Sequence, residues 1–151
     1  MLDDRTQAHV KRELQQIERL LSEYNELIEA SRTTEPTLIE YTALGSVLQS
    51  FYNGVENILQ TVAKRVDNSV PEGNSWHKEL LLQMGRKNDF RNSVISQPTL
   101  ELLLPYLGFR HVARHVYTFV LDWDKMQDLV WDLKDVWLVV KADVKLFLEA
   151  S

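Results

Sequence analysis

Cysteine is absent from this chain, which excludes disulfides and thiolate metal sites and suits a reducing cytoplasm, the expected location. No stretch approaches the roughly 18 uninterrupted apolar residues that cross a bilayer, so no membrane partner is expected. The opening Met1-Leu2-Asp3-Asp4-Arg5 has neither a basic head nor an apolar run, and no secretory leader is expected. Repeats, low-complexity segments and an interdomain linker are missing. So are a Gly-rich phosphate loop, a Ser/His/Asp arrangement and an acidic metal cluster, and no cofactor is expected. A net charge of -5 argues against coating nucleic acid by bulk charge. Any contact with RNA must come from a focused patch.

What is present is helical periodicity. Apolar residues recur at three- and four-residue steps, and period-two alternation is nearly absent. Val10, Leu14, Ile17, Leu21, Tyr24 and Ile28 form one stripe, predicting a helix over 3–32 that either joins the core or zips against another chain. Pro36 suits the first turn of a second helix, marked by Leu38, Leu44, Leu48, Phe51, Val55, Ile58, Leu59 and Val62. Gly45 and Gly54 inside it are costly unless another helix packs closely there. The turn formers of 67–74 make a loop, followed by a short helix over 75–85. Pro98 opens the next helix, capped by Ser96 or Gln97, which Pro105 and Gly108 are expected to break or kink. A last helix runs over 123–149, with Asp122 and Asp124 favourable at its start. The expectation is a single domain, residues 1–151, folded as an all-α up-and-down bundle of about five helices.

Against that acidic average stands Arg110-His111-Val112-Ala113-Arg114-His115-Val116-Tyr117, with two arginines, two histidines and a tyrosine in eight residues. No Asp or Glu occurs between Leu102 and Leu121. Arginine presents a planar fork matched to phosphate oxygens, and a neutral imidazole can take a proton from a ribose 2′-hydroxyl. Such a site could cleave RNA without a metal, and has no purchase on DNA, which lacks the internal nucleophile. On a regular helix over 110–120, Arg110, Arg114, His111, Thr118, His115 and Tyr117 form a polar front. Phe119, Val112, Val116, Val120 and Ala113 form an apolar back. Arg110 and His115 then point about 140° apart. Either the backbone is irregular near Gly108 or two chains combine at a two-fold axis, and the second is preferred. The competing reading makes these cations salt-bridge partners of the last helix through Asp128, Asp132 and Asp135.

The string Arg110-(His-Val-Ala-Arg)-His115-Val-Tyr117 resembles the Arg-x4-His-x-Tyr branch of the HEPN-domain toxins of the HepT type. Phe109, the repeated Arg-His pair and the continuation through Leu121, Asp122 and Trp123 resemble it too. The resemblance implies a HEPN-like homodimer acting as a metal-independent endoribonuclease. It would be the toxin of a type VII toxin–antitoxin system, paired with an MNT-type nucleotidyltransferase antitoxin and cutting transfer or messenger RNA. By that resemblance Arg110 holds the scissile phosphate, His115 is the acid/base residue, and Tyr117 is the hydroxyl that the antitoxin modifies with AMP. Arg114 is a phosphate contact, and His111 stands where many members carry Asn or another polar residue.

Other residues complete the survey. The basic, flexible stretch with Arg86, Lys87 and Arg91 is either a solvated loop or a track for an RNA backbone. His111 and His115 have a spacing able to chelate a metal, but lack the further ligands a stable site needs. His9 and His77 bear no evident spacing relationship to that pair. Trp137 is expected in the core, and core packing is preferred to an interface role for Trp123 and Trp131. The alternative to a ribonuclease is a non-catalytic helical module that docks a nucleotidyltransferase or a nucleotide.

Overall fold

In the computed structural model, which describes residues 2–117 and 120–150, the apolar stripes become six α-helices and, among the described residues, no strand. In chain order these are α1 (Asp4–Glu23), α2 (Asn25–Ala30), α3 (Leu38–Val62), α4 (Trp76–Met84), α5 (Gln97–Ala113) and α6 (Trp123–Glu149). A π-helical turn, Ala63–Asp67, extends α3 and ends at Asn68 in the left-handed region, φ 53°. Polar side chains start four helices by accepting otherwise unpaired N–H groups. Asp3 accepts from Thr6, Ser96 from Thr99 and Asp122 from Asp124, while Thr37 and Glu40 form a reciprocal capping box.

α3 is the central element, packed by α1, α5, α6 and α4. Its glycines sit where neighbours come close. A Cβ on Gly54 would lie 2.7 Å from Ile17 Cγ1, and one on Gly45 would lie 3.0 Å from Leu121 Cδ1. The stripe of α1 is spent inside the molecule, with Val10, Leu14, Ile17 and Leu21 all buried. Trp137 and Trp123 are buried as well. Trp131 packs edge-on to Trp123 at 6.3 Å and donates from Nε1 to Ser31 Oγ at 3.2 Å.

Two expectations are corrected. The first helix is not continuous over 3–32: it breaks at Tyr24, φ -104° and ψ 11°. The break leaves the Tyr24 phenol exposed while Ile28 stays buried. Conversely, Pro105 and Gly108 do not break α5. Proline removes the bond to the Glu101 carbonyl, but Glu101, Pro105 and Gly108 all lie on the exposed side, where water can satisfy that oxygen.

Candidate active site

The site is built around a carboxylate on a face that is otherwise apolar. Glu56 lies on α3 among Tyr52, Val55, Ile58 and Leu59, and is buried with them. An ionised carboxylate there requires partners for its oxygens. Oε1 accepts from Arg110 Nη1 at 2.8 Å, and Oε2 is 2.7 Å from His77 Nδ1. Because Nδ1 faces a carboxylate, it is the nitrogen that carries hydrogen. The 3.5 Å approach of Arg110 Nη2 to the same nitrogen therefore sets donor beside donor, a neighbour contact rather than a bond. The Arg110 guanidinium also lies 5.6 Å from the centre of the Tyr52 ring. Burial pushes the Tyr52 hydroxyl far above its ordinary value, and the Glu56 charge adds to that rise against the opposing pull of Arg110. Tyr52 is thus a neutral wall of the ion pair. The Trp76 ring covers His77, centroids 3.6 Å apart and planes 31° from parallel.

This cluster borders a cleft of about 630 Å³ between the first turn of α4 and the last turns of α5. His77, Arg110, His111, Arg114 and His115 all line it, with Trp76 and Lys78. How Arg110 and His115 share one cleft is answered by the helix end. α5 is regular through Gly108 and stops at Ala113. The Arg114 N–H donates to the Arg110 carbonyl at 3.2 Å, and the His115 N–H to that of Val112 at 3.0 Å. The tightened turn brings the His115 ring to 4.9 Å from that of His111, edge to face. Neither irregularity near Gly108 nor a second chain is needed to place these side chains along one cleft.

The predicted polar front and apolar back are inverted in part. Arg110 is only 6% exposed, whereas Val112 is 55%, Val116 36% and Val120 55% exposed. The helix that would have turned those valines inward ends before most of them. Tyr117 is 77% exposed. Thr118 and Phe119, which the helical wheel also placed, lie outside the described residues. The carboxylate that pairs with Arg110 comes from α3 rather than α6, and Asp128, Asp132 and Asp135 are exposed.

The stretch 86–92 lies elsewhere. Gly85 abuts Leu100, ten residues and so about 15 Å of helix before Arg110. Arg86 and Lys87 are exposed there, outside the cleft. Arg91 is not available to RNA. It is buried against Asp67, with Nη2–Oδ2 2.7 Å and Nε–Oδ1 2.8 Å. It also donates to the carbonyls of Arg86, Asn92 and Gln83. A guanidinium engaged in this way closes the loop rather than tracking a backbone.

Among the described residues no group of three or more His, Asp or Glu is arranged to hold a metal ion. Sequence reasoning missed Glu56 and His77. The signal for Glu56 was present: a lone carboxylate on an apolar helical stripe needs a cation from another element. His77 had no such local mark.

Residues 43–151, from within α3 to the C-terminus, match the model of a family described as HepT-like protein. No curated protein and no solved structure matches the chain.

Proposed function

The chain belongs to the HepT-like family, and from that membership and the cleft we propose a metal-independent endoribonuclease, the toxin of a type VII toxin–antitoxin system. The observation that carries the reading is the cleft itself, where Arg110, Arg114, His111 and His115 meet beside the Glu56–His77 pair. His115 takes the proton from a ribose 2′-hydroxyl, O2′ bonds to phosphorus, and the P–O5′ bond breaks as O5′ takes up a proton, leaving a 2′,3′-cyclic phosphate and a 5′-hydroxyl. Arg110, held rigid by Glu56, and Arg114 stabilise the charge that grows on the phosphate oxygens. The ion pair is preorganised, so little reorganisation accompanies the reaction.

Tyr117, exposed just beyond the cleft, is the hydroxyl modified with AMP by an MNT-type nucleotidyltransferase antitoxin. The added phosphate would pair with nearby arginine and obstruct RNA entry. The exposed valines Val112, Val116 and Val120 favour a further protein surface here, which suits a homodimer. Arg86 and Lys87 could meet only flanking nucleotides of a transfer RNA. Those same valines also favour the rival reading, a non-catalytic module that docks a nucleotidyltransferase.

The test is cleavage of a transfer-RNA pool by purified protein with EDTA present, beside its His115→Ala variant, with intact mass read for added AMP. Wild-type cleavage leaving cyclic phosphate, slowed about 10²–10⁴-fold in the variant, is expected. Failure of unmodified wild type on every RNA class would leave the docking module as the function.

A further inference from the structure

We infer that His77 is a second catalytic residue of this cleft, the acid that protonates the leaving 5′-oxygen. The inference rests on the ribonuclease reading and deepens it. Cleavage by the 2′-hydroxyl needs two proton transfers: one from O2′ as it bonds to phosphorus, one to O5′ as the P–O5′ bond breaks. A single imidazole at His115 can serve the first. The second then requires a group that faces the same phosphate from another direction. His77 comes from α4, whereas His115 lies on the turn after α5, and both line the cleft.

The hydrogen bonding of His77 suits it to that task. Nδ1–H is committed to Glu56 Oε2 at 2.7 Å, so proton traffic is confined to Nε2. When the imidazolium gives up its Nε2 proton to O5′, the ring that remains is the tautomer Glu56 already holds. No hydrogen bond has to break. Trp76, stacked on the ring, fixes its plane. The cleft volume, about 630 Å³, falls within the range of small-molecule sites and admits a nucleotide unit. Glu56 thereby acts as a positioning residue for both reacting partners. One oxygen orients the phosphate-binding arginine and the other orients the acid.

The experiment compares two oligoribonucleotides, one with the ordinary 5′-oxygen and one with sulfur at the bridging 5′ position. Thiolate leaves without protonation, so the second substrate has no need of an acid. His77→Asn is the variant of choice, because its amide N–H can replace Nδ1–H toward Glu56 while Nε2 is lost. His77→Gln is carried beside it, and thermal melting checks both folds. The expected result is cleavage of ordinary RNA slowed about 10²–10⁴-fold, with the sulfur substrate cut at near wild-type rate. His115→Ala should be slow on both. Wild-type cleavage of ordinary RNA by folded His77 variants would overturn the inference and leave the ribonuclease intact. Equal slowing on both substrates would overturn it too, by making His77 merely structural. Wild type inactive on both substrates would instead bring down the ribonuclease reading, and this inference with it.

Discussion

Two buried arginines, one at each end of α5, have opposite fates. At the N-terminal end Arg91 meets Asp67 through two nitrogens, and backbone carbonyls take its remaining donors. At the C-terminal end Arg110 meets Glu56 through one nitrogen, and the other oxygen of that carboxylate holds a histidine at the wall of a cleft. Both are largely buried arginine–carboxylate pairs, so burial and pairing alone do not mark a working site. Space opens beside each, about 380 Å³ next to Arg91 and about 630 Å³ next to Arg110, so what separates them is the further group on the carboxylate: the Gln83 amide on Asp67, the His77 imidazole on Glu56. One pair closes a loop; the other arms a cavity.

The strongest way to break the comparison is to remove each cation. Arg91→Ala and Arg110→Ala should each lose about 3–5 kcal/mol in urea unfolding, because a buried carboxylate is left alone. Only Arg110→Ala should also abolish cleavage per folded molecule. Paired replacement sharpens the contrast. Arg110→Met with Glu56→Leu should recover most of the lost stability without activity. Arg91→Met with Asp67→Leu should stay unstable, since the carbonyls of Arg86, Asn92 and Gln83 lose their donor.

Acid probes the Asp67 end next. Burial alone would raise the Asp67 carboxyl, but hydrogen bonds from Arg91, Gln83 and Asn88 and the Arg91 charge outweigh it and hold the carboxyl below its ordinary value. Its contribution is therefore complete above the unfolded carboxylate value of about 3.9 and is lost as pH falls through the lower folded one. Unfolding free energies at pH 6 and at pH 3 should differ less in Asp67→Asn than in wild type. An unchanged difference would deny that this pair senses acid.

The smallest effects concern two glycines. A Cβ on Gly85 would lie 2.7 Å from Leu100 Cδ1, so Gly85→Ala should cost about 1–3 kcal/mol. On Gly108, beside the cleft, a Cβ meets nothing within 4 Å, and Gly108→Ala should gain about 0.5–1 kcal/mol. Melting temperatures moving in opposite directions would bear out a packed end and an open one.

Much of the fold was legible because periodicity and caps are local. α6 lies where its stripe and Asp122 predicted, and Gly54 meets the close helix that its cost demanded. The helix break at Tyr24 and the continuity through Pro105 were not legible, because each depends on which side faces water. The Arg/His stretch did lead to the cleft, but the wheel drawn over it failed where α5 ends at Ala113. Arg91 looked like a surface cation until Asp67, 24 residues away, came to meet it. Glu56 and His77 reach Arg110 across 54 and 33 residues, distances at which spacing along a chain carries no geometry.

Glu56, holding two partners with its two oxygens, also restricts how a lineage carrying this cleft can change. Losing the carboxylate first would strand a buried arginine at a cost of about 3–5 kcal/mol, a large share of the roughly 5–15 kcal/mol that keeps a domain folded. Losing the arginine first would strand the acid instead. For folding alone position 77 is freer, since a ring one-quarter open to water can be exchanged for another donor, though not without loss of the acid that cleavage needs. In a lineage that gives up cleavage, divergence should therefore begin at 77, with 56 and 110 altered only together.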